Sequence, residues 1–350
     1  MFSNLRSLIF KLDPEIAHDL AIKSLKLNIV PKIFEKKNYG KLFDTNFLNK
    51  NIDNPIGMAA GFDKNAEVYN QLFKLGFGFV EVGTITPLGQ YGNPKPRVFR
   101  LVEDEALINR LGFNNRGAQD AFNRIKKNPN KGLLGINIGP NKDTKNRLED
   151  YLNCFKTLHK LADYITINIS SPNTENLRIF HDQYKLDELL REINNEKKNL
   201  NSKMPIVIKI SPDINDSDIQ KISEVILNND IEAIIISNTS DASRDKLKNI
   251  QKHQKGGISG KPIEDKSNLL INKFYKNLKS KIKIIGVGGV DSGLSAYNKF
   301  LSGADLIQLY TGMVFKGPNI VNIIKNDLSE LLLKDGVKNF TEIVGNKTNN

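Results

Sequence analysis

Eight short apolar runs, each followed by a longer segment of helical spacing, constrain this chain more than any other feature. They are Ile56 to Ala60, Phe79 to Gly83, Leu134 to Ile138, Tyr164 to Ile169, Ile206 to Ile210, Ala233 to Ser237, Ile282 to Val287 and Leu306 to Leu309. Apolar and β-branched residues dominate each run, as strands buried on both faces require. Amphipathic patterns such as Leu148 to Leu161 and Asp216 to Leu227 lie between them. Eight strands alternating with helices predict a closed α/β architecture, the TIM or (β/α)8 barrel, rather than an open sheet. A barrel of roughly 250 residues leaves room in the 350-residue chain for an extension.

That extension is expected ahead of the barrel. Phe2, Leu5, Leu8, Ile9 and Leu12 recur at helical spacing. Asp13-Pro14-Glu15 then reads as a helix start, with a capping carboxylate, a proline in the first turn and an acid near the positive helix end. Ile16, Ala17, Leu20, Ala21 and Ser24 share one face, Asp19, Lys23 and Lys26 lie off it, and Pro31 and Gly40 close the unit. Such a pair either packs on the barrel or faces a membrane, and packing is the commoner fate of an amphipathic helix. The chain therefore divides into a helical extension over 1–41, a barrel over 42–340 and a polar tail over 341–350, of which Asn346 to Asn350 are expected to be unordered. Residues 84–115 form an unusually long connection, with a hairpin expected between Val98 to Leu101 and Ala106 to Asn109. Long loops of this kind are often functional.

Composition removes several classes of function. Cys154 is the only cysteine, so no internal disulfide and no multi-cysteine metal or iron–sulfur site can form. His18, His159, His181 and His253 show no metal-ligand spacing, and no metal is expected. No run reaches the roughly 18 apolar residues that span a bilayer. Arg6 and Lys11 interrupt the N-terminal apolar stretch, which does not read as a signal peptide. The net charge of +12 has three candidate sources: a general Lys, Asn and Ile bias, an anionic membrane surface, or nucleic acid. No nucleic-acid motif accompanies it, and no nucleic-acid partner is expected.

In a barrel of this type the chemistry sits where the strands end. The residues there are Gly61-Phe62-Asp63-Lys64, Thr84, Asn137, Asn168 to Asn173, Lys209, Ser237-Asn238-Thr239, Gly286 to Gly289 and Tyr310-Thr311. They lack the paired carboxylates of glycoside hydrolysis and the histidine of a Ser-His-Asp triad. Amides both donate and accept, which suits the edge of a planar ring carrying C=O and N–H groups. Lysines suit a phosphate, a carboxylate or charge developing on a cofactor. Glycines after the seventh strand suit a phosphate, although tight turns also need glycine. Asn168 to Asn173 can be either a polar turn capping the next helix or a site segment.

The motifs Asn54 to Lys64, Gly83-Thr84, Pro96 to Arg100, Asn109 to Asn115, Asn168 to Asn173, Ser237 to Thr239 and Gly256 to Gly260 occur in order. In them, from about His18 to Thr311, the chain resembles the class 2, quinone-linked dihydroorotate dehydrogenases. The resemblance implies FMN as cofactor, held by Ala60, Gly61, Phe62, Asp63, Lys64, Thr84, Asn137, Asn168, Lys209, Ser237, Gly260, Gly289, Tyr310 and Thr311. It implies dihydroorotate contacts at Lys64, Asn109, Arg110, Leu111, Gly112, Phe113, Asn168, Asn173, Asn238 and Thr239. Ser171 stands at the position of the catalytic base, where class 1 relatives carry cysteine; Ser237 replaces a threonine common in relatives and keeps the hydroxyl. Thr174 or a water is the candidate relay beyond Ser171.

The same resemblance implies a quinone, ubiquinone or menaquinone, entering past the N-terminal helices, with His18 and Arg97 near its head group. Residues 1–41 carry Arg6, Lys11, Lys23, Lys26, Lys32, Lys36, Lys37 and Lys41 against Asp13, Glu15, Asp19 and Glu35, a balance suited to peripheral contact with anionic lipid. The implied setting is the cytoplasmic face of a bacterial inner membrane, with a monomer expected. The alternatives are a flavin barrel with fumarate or a nicotinamide–iron–sulfur acceptor, a tRNA-uridine reductase, which needs a cysteine acid, and a non-catalytic basic binding protein.

Overall fold

The computed structural model describes residues 2–28, 37–174, 176–242, 244–278 and 281–348. Pro31, Lys32, Glu35 and Lys36 of the extension, and Asn349 and Asn350 of the tail, lie outside the described residues.

All eight expected strands are present. They are β1 (Ile56–Met58), β2 (Phe79–Ile85), β3 (Leu133–Ile138), β4 (Tyr164–Asn168), β5 (Ile206–Ile210), β6 (Ala233–Ile236), β7 (Lys283–Val287) and β8 (Leu306–Leu309). They close in sequence order into a parallel barrel, β8 pairing with β1. Every residue of β2 to β6 is buried, because helices cover one face and the barrel interior the other.

Two cores result. The outer one lies between strands and helices and includes Val80, Ile136, Ile167, Ile208 and Ile234. The inner one fills the lower barrel with Phe79, Leu133, Tyr164, Val207, Ile235, Ile285 and Leu306. Phe47, from the short antiparallel pair Thr45–Phe47 and Lys50–Ile52, plugs the bottom and meets Tyr164 edge-on at 6.0 Å. Gly135 makes room for this floor, since a Cβ there would lie 2.1 Å from the Tyr164 ring. Above the floor, alternate strand residues turn polar: Glu81 on β2, Asn137 on β3, Thr166 and Asn168 on β4, Lys209 on β5, Gln308 on β8. The period of two along each strand thus stacks a dry layer beneath a wet one.

The expected hairpin forms between Val98–Leu101 and Ala106–Asn109. A third strand, Gly257–Gly260, joins it antiparallel to Ala106–Asn109 and makes a small sheet over the barrel mouth. Cys154 is fully buried in the helix Arg147–Leu158, as expected.

The extension consists of α1 (Phe2–Ile9) and α2 (Pro14–Lys26). One Asp13 carboxylate oxygen accepts from the Glu15 and Ile16 amides, at 2.9 and 3.2 Å, and caps α2. Arg97, 6% exposed, grips Glu15 with Nε and Nη2 and ties α2 to the hairpin. Only Ile22 and Leu25 of α2 are buried; Leu5, Leu8, Leu12, Ile16 and Leu20 stay exposed. The pair is therefore propped against the barrel rather than packed flat on it.

The chain stays ordered through Thr348, against the expectation for Asn346 onward. Phe340–Ile343 forms a short 3-10 helix whose Phe340 packs on Phe300 at 4.8 Å, and Ile343 is buried. Asn346–Thr348 forms another turn. Apolar side chains anchor the stretch despite its polar composition.

Candidate active site

A cavity opens at the carboxyl ends of the strands, enclosing about 1310 Å³ with its mouth included. It brings together most of the residues singled out from the sequence. Ala60, Gly61, Lys64, Thr84, Asn168, Lys209, Ser237, Gly260, Gly289, Tyr310 and Thr311 line it. So do Asn109, Leu111, Gly112, Phe113, Ser171, Asn173, Asn238 and Thr239.

Four expected site residues do not reach the cavity wall. Asp63 is buried, and its two oxygens accept from the Glu67 and Val68 amides at 2.7 Å; it shapes the turn after β1. Phe62 lies on the other side of that turn, in the apolar cleft described below. Arg110 points away, donating to Gln254 and to the Lys255 and Pro96 carbonyls over the Phe99 ring. Asn137 sits beneath the wall, with no exposure.

The cavity floor is a continuous hydrogen-bond network. Thr84 Oγ1 donates to Asn137 Oδ1 at 2.6 Å, and Asn168 Nδ2 reaches both Thr84 and Asn137. Ser170 Oγ donates to Asn168 Oδ1 at 2.7 Å and accepts from Asn238 Nδ2 at 2.9 Å. Ser171 is 5% exposed, and its Oγ accepts from the Asn173 amide at 3.2 Å. Asn173 in turn donates to the Asn109 carbonyl at 3.0 Å, joining the loop after β4 to the mouth hairpin. Thr174 makes no hydrogen bond with Ser171 among the described residues.

Two lysines supply charge. Among the described residues neither the Lys64 nor the Lys209 ammonium has a hydrogen-bonded or ion-paired partner. Burial lowers Lys64 to about 8, which leaves it charged at neutral pH. Burial lowers Lys209 also, against the opposing pull of Glu81. Two acceptors on the cavity wall, Gln308 Oε1 and Asn114 Oδ1, are buried and lack a donor among the described residues. The cavity thus offers positive charge and open acceptors to a flat anion bearing N–H groups. Sequence reasoning missed Gln308 and Asn114, although Asn114 lies inside a quoted motif. Gln308 follows an apolar pair in β8, where a lone polar residue in a buried strand was the available signal.

A second cavity, about 1230 Å³ with its mouth, lies between the extension and the barrel. Ile9, Leu12, Ala17, Leu20 and Ala21 face Phe62, Leu75, Met313 and Val314 across it. Val98, Leu107 and Tyr310 line both cavities and separate them. The rings of His18 and Phe62 meet edge-on at 5.3 Å, and Phe62 meets Tyr310 at 5.8 Å. Burial, then the charge of Lys64, lowers His18 to about 3, so its ring is neutral. His18 is on the cleft wall, as expected; Arg97 is not, being bound to Glu15.

Among the described residues no cluster could hold a metal ion and no helix is long and apolar enough to cross a membrane.

Fold and cavity together define a class: barrel enzymes that hold a planar anionic ring under a covered mouth. A family model described as dihydroorotate dehydrogenase matches residues 42–332. A dihydroorotate dehydrogenase (quinone) of Bartonella tribocorum is 44% identical over 344 residues, covering 96% of this chain and 94% of its own. One of Buchnera aphidicola is 46% identical, covering 92% and 98%. The crystal structure of a DHODH from Eimeria tenella in complex with ferulenol superimposes with a TM-score of 0.91 at 34% identity, covering 95% of each chain. The chain belongs to the dihydroorotate dehydrogenase family, in its quinone-linked class.

Proposed function

We propose that the protein oxidises (S)-dihydroorotate to orotate on bound FMN and passes the electrons to a membrane quinone, a step of de novo pyrimidine synthesis. The observation that carries the reading is the pair of cavities sharing one wall. One is polar, with Ser171 and two free lysines; the other is apolar and lies under the N-terminal helices.

The residues fit FMN. Gly289 has φ +77° and packs so closely that a Cβ would lie 2.4 Å from that of Glu264, which leaves bare backbone that would face the phosphate. Gly288, Gly289, Tyr310 and Thr311 would hold the phosphate, and Ala60, Gly61, Thr84, Asn168, Lys209 and Ser237 the ring. The unpartnered Gln308 Oε1 offers an acceptor to a ring N–H. FMN, when bound, supplies the acceptor for the hydride that leaves C6 of dihydroorotate.

The chain's own residues do the rest. Lys64 meets the substrate carboxylate, an attraction that burial strengthens. Asn109, Asn173, Asn238 and Thr239 hold the ring edge and restrict it to one orientation. Ser171 takes the proton from C5, next to a carbonyl. Serine is a weak base, so the step depends on orientation and on a path for the proton to solvent. Lys209 stabilises the negative charge that arrives with the hydride.

The apolar cleft would take the quinone, with His18, Phe62 and Tyr310 between it and the cofactor. The exposed Leu5, Leu8 and Ile16, with Arg6, Lys11 and Lys23 nearby, would rest on anionic lipid, at the cytoplasmic face of a bacterial inner membrane. We take the active unit to be a monomer, with residues 1–41 as the quinone entrance. Purified protein tests the reading: it should be yellow, retain FMN and form orotate. A colourless protein that takes up no FMN on reconstitution would end it.

A further inference from the structure

Glu81 lies inside β2, fully buried beneath the cavity, and four side chains converge on its carboxylate. Asn137 Nδ2 donates to Oε1 at 2.9 Å. Thr166 Oγ1, the Tyr164 phenol and Gln308 Nε2 donate to Oε2 at 3.0, 3.2 and 3.3 Å. Each of these contacts is one that a carboxylate oxygen accepts.

This fixes the direction of every bond above it. With its NH2 committed to Glu81, Asn137 presents Oδ1 upward, where it accepts from Thr84 and Asn168. Thr84 has then given its only proton and accepts from Asn168 Nδ2. Asn168 has both amide hydrogens engaged, so its oxygen accepts from Ser170, whose own oxygen accepts from Asn238. The amide orientations of Asn137, Asn168 and Asn238 all follow from one buried carboxylate acceptor. Gln308 follows as well, its NH2 held down and its oxygen left open. Glu81 is also the negative charge that opposes the effect of burial on Lys209.

We propose that Glu81 is a positioning residue for the reaction: its carboxylate sets the hydrogen-bond direction across the cavity floor. The inference rests on reading the cavity as a flavin site. Glu81→Gln is the same size and keeps partners, since the Thr166 and Tyr164 hydroxyls can rotate to accept. Asn137, however, would have to share its donor with a neutral amide, and the relay above loses its enforced direction.

The experiment compares holoenzyme of the parent and E81Q. The midpoint potential of bound FMN should move positive, because removing an anion eases electron uptake. Reduction by saturating dihydroorotate should slow on the order of tenfold or more, as misplacement of a reacting ring costs. A potential equal to the parent's together with a rate within twofold of it would overturn the proposal. A colourless parent would instead overturn the flavin reading on which it rests. Should E81Q not fold, Asn137→Ala cuts the relay and leaves the charge: the potential should stay and the rate should still fall on the order of tenfold. A parental rate in that variant would overturn the proposal.

Discussion

Ser171 faces the cavity with a single hydrogen bond among the described residues, from the Asn173 amide, so little holds the site together through it. Ser171→Ala should therefore keep FMN bound and slow reduction by dihydroorotate by roughly 10²- to 10⁴-fold, the usual weight of a positioned base. Stopped-flow absorbance of the flavin measures this, and near-parental reduction would remove Ser171 from that role. Lys64 gives a pH signature. It carries its charge below about pH 8, and the substrate carboxylate is charged throughout, so KM for dihydroorotate should rise as pH passes 8. Lys64→Met should raise KM about 10- to 100-fold at neutral pH, the loss of a charged hydrogen bond, and flatten that rise. A pH-dependent KM surviving in the variant would assign it elsewhere. At this scale the sequence displayed the mouth residues because they directly follow apolar runs. Glu81, Thr166 and Gln308 were hidden inside runs that read as uniformly buried, where the barrel interior and the outer core look alike.

The loop after β4 is held by a second set of groups. Arg178 Nε donates to the Ser170 carbonyl at 3.3 Å, and its Nη atoms reach Asp241 and Asp213. His181 Nδ1 donates to the Arg178 carbonyl while Nε2 accepts from the Ser211 amide, both near 3 Å. That arrangement needs a neutral ring, and burial lowers His181 from 6.5 to about 4. The unfolded chain therefore takes the proton first. Stability should fall as pH drops from about 6.5 to about 4 and change no further from this group below that. His181→Gln should make that limb shallower, read as denaturation midpoint against pH, with His18 still contributing in the variant. An unchanged slope would contradict the assignment. Deleting residues 1–40 should impair quinone turnover far more than flavin reduction by dihydroorotate; equal losses would indicate a purely structural extension. Helical spacing revealed both helices, yet one apolar stripe serves equally for packing and for lining a cleft. Only the exposed Ile16 and Leu20 beside buried Ile22 and Leu25 distinguish them. The strand Gly257–Gly260 was invisible for another reason: its pairing partner lies about 150 residues away, and two glycines in four residues carry no strand pattern.

For the whole molecule, the barrel was legible because its parallel strands need apolar residues on both faces, and that makes eight separate runs. The polar interior layer, the covered mouth and the shared wall between cavities depend on closure, which brings β8 beside β1 and no local pattern encodes. The proposed path runs through both cavities: dihydroorotate would reduce a flavin in the one that holds Ser171, and quinone would reoxidise it from the apolar one. Anaerobic addition of dihydroorotate to the purified holoprotein, followed by separate additions of a short-chain quinone, fumarate and nicotinamide, tests that path most directly. The flavin absorbance should bleach with dihydroorotate and return with quinone alone. No bleaching, or recovery with fumarate or nicotinamide while quinone has no effect, would contradict it.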